Sequence, residues 1–177
     1  MRPPGALRKA GQVGEEWVVE QAVGEQDRND AVAVWQAANT ARGMAPSWDR
    51  TARVKEKLSA PDALIAVARS GGEVVAMALG ETGRAEDGEG PVEPGFGHIS
   101  MVFVHPDLWG RGIGGQLLDW LHREMFELGW YLISLWTRDI NERALRLYES
   151  RDYVPTGRSQ QLPDGSRTVQ LERRQSR

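Results

Sequence analysis

The stretch VFVHPDLWGRGIGGQLL, Val102 to Leu118, decides how this chain is read. It opens as a β-branched and aromatic strand, which Pro106 stops because it cannot donate to a ladder. It closes as the start of an amphipathic helix. Between them stand glycines at 110, 112, 114 and 115, with Arg111 among them. Glycine takes backbone conformations closed to other residues and lets a ligand approach the main chain. Several amide N–H groups then converge at a helix start, where the dipole also favours an anion. A pyrophosphate is the natural guest, with Arg111 adding charge at the rim.

Two other glycine-rich phosphate sites are weaker matches. A P-loop needs Lys followed by Ser or Thr, and here Gln116 and Leu117 follow the last glycine. Gly110, Gly112 and Gly115 match GxGxxG formally, but a dinucleotide fold places that motif after its first strand. Here it lies past the middle of the chain and follows a hairpin signal.

Working outward, the helix from Gly112 to Leu128 carries an apolar stripe of Ile113, Leu117, Leu121, Met125 and Leu128, with Gly129 as its C-terminal cap. Upstream, Glu15–Ala22 reads as a strand and Asp27–Arg42 as a helix burying Ala31, Val34, Trp35 and Ala38. Ser47 or Asp49 caps a second helix that runs to about Leu58. Ala63–Arg69, the Gly71-Gly72 turn and Glu73–Glu81 form a hairpin, Thr82–Pro94 an acidic loop, and Gly97–Val104 the next strand. Downstream, Tyr131–Trp136 is a strand. Asp139 with Glu142 resembles a capping box for a helix to about Ser150. Val154–Leu162 and Thr168–Arg173 close the chain around Pro163-Asp164-Gly165.

At 177 residues the chain suits one domain over 15–177, preceded by a flexible arm over 1–14. No cysteine occurs, so disulfides and thiolate chemistry are excluded. A net charge of −3 argues against a nucleic-acid partner. The three histidines, His98, His105 and His122, lack the spacing of a metal site. No apolar run is long enough to cross a bilayer. The opening MRPPGALRKAGQ lacks a secretory apolar core, so a cytoplasmic location is expected.

Trp109–Gly114 (WGRGIG) and Asn141–Tyr153 (NERALRLYESRDY) together resemble the GNAT superfamily of N-acetyltransferases, over about Glu15 to Arg173. The first motif departs from the family's R/Q-x-x-G-x-G/A in having Trp109 at its head. The resemblance implies an α/β fold: a mixed, mostly antiparallel twisted sheet with helices on both faces. It also implies a splayed parallel pair made by the strands at Gly97–Val104 and Tyr131–Trp136. It implies acetyl-CoA as co-substrate and no metal. The amides of Trp109, Gly110, Arg111, Gly112, Ile113 and Gly114 would hold the pyrophosphate. The main chain of Val102, Phe103 and Val104 would pair with the pantetheine arm, and Asn141 would lie beside the cofactor.

Acetyl transfer needs a neutral amine, although a free alkylamine has a pKa near ~10. It also needs an acid for the departing thiolate. The resemblance puts that acid at Tyr148, whose helix face it shares with Ala144 and Leu145. For the base, many relatives carry a glutamate on the strand before the cradle, and that position is His98 here. A histidine accepts a proton near neutral pH. Strand alternation sets His98, Ser100 and Val102 on one face. His105 and His122 are expected to face solvent without a chemical role. The protein N-terminal acetyltransferase branch often has a glutamate where Trp136 stands, so a ribosomal-protein alanine acetyltransferase is disfavoured. Trp35 and Trp48 lie near the region that lines the acceptor cleft in related folds, and packing is the expectation for both.

The expected activity is transfer of acetyl from acetyl-CoA to a primary amine of a small-molecule acceptor. The acidic residues Glu86, Asp87, Glu89 and Glu93 would suit a cationic one. A peptide or protein N-acetyltransferase and a non-catalytic acyl-CoA sensor are the alternatives. The apolar strands suit a homodimer as well as a monomer.

Overall fold

The computed structural model describes residues 16–176, so the arm expected over 1–14 lies outside the described residues. The elements are β1 (Val18–Gln21), α1 (Gly24–Ala41), α2 (Trp48–Leu58), β2 (Leu64–Ser70), β3 (Glu73–Arg84), β4 (Val92–Val104), α3 (Ile113–Glu127), β5 (Leu132–Arg138), α4 (Glu142–Glu149), β6 (Val154–Gln161) and β7 (Arg167–Arg174). Their order is the one read from the sequence. The sheet has the strand order β1-β2-β3-β4-β5-β7-β6. β4 and β5 are parallel, while β1–β2, β5–β7 and β6–β7 are antiparallel. This is the mixed, mostly antiparallel α/β fold with one parallel pair that the family resemblance implied.

The chain divides into two compact units, one reaching to Leu79 and including Met101–Leu121, the other comprising Gly80–Ser100 and the residues from His122 onward. In the first unit, Trp35, Leu58, Val67, Met77, Leu79 and Met101 belong to one buried cluster. The stripe foreseen on α1 is buried, with Ala31 and Ala38 fully so. α1 starts three residues before the expected Asp27, because the Asp27 carboxylate accepts the Val23 N–H at 2.7 Å and closes the helix start. The same carboxylate takes a hydrogen bond from Arg69, which also binds Glu20 at 2.6 Å. β1, α1 and β2 are thereby joined through one guanidinium. Ser47 caps α2, accepting the Arg50 N–H at 3.2 Å.

In the second unit, the register of the parallel pair runs from Phe96↔Leu132 to Ile99↔Leu135, and β4 itself continues to Val104. The core side of β5 is sealed by Ile133 and Leu135, both at or below 1% exposed. The acidic loop expected over Thr82–Pro94 is much shorter. β3 runs on to Arg84 and β4 begins at Val92. The Ala85 N–H donates to the Pro91 carbonyl at 3.0 Å and the Gly90 N–H to the Ala85 carbonyl at 3.0 Å. Gly83 lies against the Phe96 ring, which fills the space a side chain would take. An aromatic covering a strand glycine explains why a Gly-rich, acidic stretch still forms ladder.

Two further expectations are corrected. Asn141, not Asp139, caps α4, accepting the Ala144 N–H at 3.3 Å. Asp139 is held at the strand end, its N–H donating to the Arg167 carbonyl at 3.1 Å. Leu128 is 57% exposed and leaves the α3 stripe. The helix has already ended, and Gly129 turns the chain at φ +82° with its N–H on the Phe126 carbonyl. No helix is long and apolar enough to cross a membrane among the described residues.

Candidate active site

The glycine turn lies in the first unit, where the end of β4 meets the start of α3. A 3-10 turn at Pro106–Leu108 bridges them. His105 anchors it. Its N–H donates to the Val75 carbonyl at 2.8 Å, and its Nδ1 accepts the Asp107 N–H at 3.4 Å. His105 is therefore buried rather than solvent-facing, and its side chain caps the turn. Trp109 follows, and both its donors are used within the turn. Its N–H bonds the Pro106 carbonyl at 3.2 Å, and its indole N–H bonds the Val104 carbonyl at 2.7 Å. The Arg42 guanidinium lies 5.5 Å from the centres of both the Phe103 and Trp109 rings, a cation–π arrangement.

Gly110 and Gly112 then adopt φ of +82° and +83°, the left-handed region that favours glycine. Above both positions there is open space where a side chain would stand. The first α3 hydrogen bonds come from Gly115 and Gln116, both to the Gly112 carbonyl. The amides of Ile113 and Gly114 thus belong to the helix's first turn, whose N–H groups have no partner within the helix. Solvent-open glycines leading into such a turn fit a pyrophosphate.

The second unit carries the residues read as chemical. His98 and Ser134 are register neighbours on β4 and β5, and the His98 Nδ1 lies 2.9 Å from the Ser134 hydroxyl. Two residues on, Ser100 Oγ is buried and has no hydrogen-bond partner, the one such side-chain atom among the described residues. The alternation that groups Ser100 with His98 contains the signal, but spacing does not tell a buried hydroxyl from an exposed one. Asn141 spends its side-chain oxygen on the α4 cap. Tyr148, on α4, is 8% exposed, and its ring meets Tyr153 edge-on with centres 5.6 Å apart.

His122 corrects an expectation. It is buried, not outward, and its Nε2 lies 2.9 Å from the Tyr153 hydroxyl. Burial, with Tyr148 nearby adding to it and Arg173 opposing, pushes the Tyr153 phenol well above the ordinary tyrosine value. Tyr153 is accordingly a neutral partner to His122 throughout the working pH range. Of the tryptophans near the first two helices, Trp35 is buried beneath the Arg50 guanidinium, as packing predicts. Trp48 is 83% exposed at the start of α2 and takes no part in a core. No group of three or more His, Asp or Glu suited to a metal ion occurs among the described residues.

A family model described as the acetyltransferase (GNAT) family matches residues 28–153. The chain belongs to this family. The match spans the glycine turn, His98, Asn141, Tyr148 and Tyr153. An acetyltransferase of Pectobacterium atrosepticum is 29% identical over 129 residues, covering 73% of this chain and 82% of that protein. A ribosomal-protein-alanine N-acetyltransferase from Brucella melitensis has the same fold, with a TM-score of 0.69 at 17% identity over 89% of this chain and 99% of that one. So does a chain of the NatC complex bound to Gag peptide and CoA, with a TM-score of 0.70 at 17% identity over 91% and 99%. This GNAT protein is an acyltransferase.

Proposed function

We propose that this chain acts over 15–177 as one acyl-CoA-binding domain that transfers acetyl from acetyl-CoA to a primary amine of a small molecule, by direct attack in a ternary complex. The glycine turn carries this reading. Gly110 and Gly112 are forced open at positive φ, clear of side chains, where α3 begins. The amides from Gly110 to Gly114, with Arg111 beside them, would take the pyrophosphate. Trp109 serves the turn by holding the Val104 carbonyl, so Val102 and Phe103 remain the main-chain partners for the pantetheine arm. Asn141 acts by starting the helix that carries Tyr148.

The chemistry then balances with two side chains. His98, its ring oriented through Nδ1 by Ser134, accepts a proton from the incoming amine, directly or through a water. The amine nitrogen bonds to the thioester carbon, and the carbon–sulfur bond breaks. Tyr148 donates its phenolic proton to the departing thiolate. Ser100 supplies a buried hydroxyl whose hydrogen bonding the protein leaves unfilled, as a group reserved for substrate or an ordered water would be. The side chain at 136 is tryptophan rather than the glutamate common in the protein N-terminal acetyltransferase branch, which favours a small acceptor over a ribosomal protein.

The test is thiol release from acetyl-CoA with polyamines, aminoglycosides, amino acids and short peptides as acceptors. Release with one small-amine class supports the reading. Release only with peptides replaces it with the peptide N-acetyltransferase, and binding of acetyl-CoA without release on any acceptor replaces it with the sensor. With the active acceptor, His98→Ala should lower turnover about tenfold or more and erase the pH limb near neutrality. An unchanged pH–rate profile removes His98 from the chemistry.

A further inference from the structure

In the second unit a concavity of about 380 Å³ is lined by His122, Arg123, Asp152, Arg173, Arg174 and Gln175, among others. Among the described residues, three arginines thus share this concavity with one carboxylate. Arg173 is half-buried and held still. Its Nε donates to the Arg151 carbonyl at 2.9 Å and its Nη1 to Gln175 Oε1 at 2.7 Å. Gln175 is itself fixed, because its Nε2 donates to the carbonyls of His122 and Trp130 at 3.1 and 3.2 Å. Its main-chain N–H donates to the Tyr131 carbonyl at 2.7 Å. That arrangement turns the amide oxygen toward Arg173.

Both partners of Arg173 are neutral. A guanidinium offers five N–H donors, and the two bonds in place leave its positive charge unmatched by any carboxylate among the described residues. Among the described residues, Arg123 pairs with its neighbour Glu124, at 3.5 Å. A partly buried, immobilised guanidinium is a strong receptor for an oxyanion. Its fork matches two oxygens, and its ordering has been completed before the ligand arrives. None of the residues assigned to acetyl transfer lines this concavity.

We propose that the concavity is a second ligand site, which binds the phosphate or carboxylate group of a small molecule. Arg173 is the fixed fork, and Arg123 and Arg174 supply the surrounding charge. The Asp152 carboxylate selects for ligands that also carry a hydrogen-bond donor beside the anion.

Inorganic phosphate and citrate, titrated separately into the isotope-labelled chain at constant ionic strength, test this by amide NMR. The expected result is saturable shifts at Asp152, Arg174, Gln175 and Ser176, and the anion acting at the lower concentration identifies the group. Arg123→Gln with Arg174→Gln should weaken that response about tenfold or more, since both side chains are lost from the anion's surroundings while the Arg173 bonds stay in place. Phosphate-induced shifts at Gly110–Gly114 should be equal in the two proteins, which separates this site from the glycine turn. Shifts confined to Gly110–Gly114, the same affinity in the double variant, or no saturation with either anion overturns the proposal.

Discussion

The glycine turn before α3 and the residues proposed for proton transfer depend on the chain in opposite ways. The turn presents main-chain amides, so it depends on backbone angles and is tolerant of side-chain identity. Trp109 stands where the family motif has Arg or Gln, and it still serves the turn by bonding the Val104 carbonyl. His98 and Tyr148 present single functional atoms, so they depend on side-chain identity and on the partners that hold them. Ser134 orients one, and the Tyr153 ring, itself tied to His122, packs against the other. Damage to the turn should therefore appear in cofactor affinity, and damage to the side chains in turnover.

Tyr148→Phe is the hardest blow to that contrast. It removes one oxygen while keeping the ring that packs against Tyr153. Turnover should fall about 100-fold, within the usual range for a lost general acid, and the acetyl-CoA KM should move by no more than a few-fold. Steady-state kinetics with the active acceptor reads both. A raised KM at unchanged kcat would make Tyr148 a binding residue and dissolve the distinction. Gly112→Ala strikes the other region. A residue with a Cβ pays about 1–2 kcal/mol at φ +83°, although the space above it is open. The acetyl-CoA KM should rise about tenfold while kcat at saturation holds. Loss of kcat instead would mean that the turn does more than bind.

The same contrast explains what the sequence disclosed. Backbone requirements leave compositional marks, so the turn and the element order could be read from glycines, prolines and apolar periodicity, while the parallel β4–β5 pairing rests on the family resemblance. Side-chain burial leaves weaker marks. His122 stands on α3 between Asp119, Arg123 and Glu124 on one side and Leu118, Leu121 and Met125 on the other, and nothing local reveals that Tyr153, thirty-one positions on, supplies its partner. The β3–β4 connection was hidden for a related reason. Its glycines and acids read as a loop, while the ring that covers Gly83 comes from Phe96 on the next strand. The α4 cap was misplaced by two residues because Asp139 and Asn141 are both good capping types, and only the Arg167 carbonyl, from a distant strand, decides between them.

Asp27→Asn sets the scale for a change that touches neither region. The Asp27 carboxylate closes the start of α1 through the Val23 N–H and is paired with Arg69. Its pKa lies below the ordinary value, first because of the Arg69 hydrogen bond and then the Val23 one, with burial opposing. A carboxylate with a lowered folded-state pKa contributes stability above its unfolded value of about 4, and that stability is lost as the pH falls through the folded-state value. The amide keeps the shape and loses the charge, at a cost of about 1–3 kcal/mol. Thermal melts at pH 7 should show the variant several degrees below the parent. The gap should narrow steadily below about pH 4, where the carboxylate of the unfolded parent takes up its proton, until the pH has passed the lower folded-state value. Turnover per folded molecule should stay level at 25 °C, the smallest kinetic effect of the three. A gap that persists undiminished at low pH would place the stabilising effect in packing rather than charge, and Arg69 would then hold α1 to β1 and β2 by shape alone.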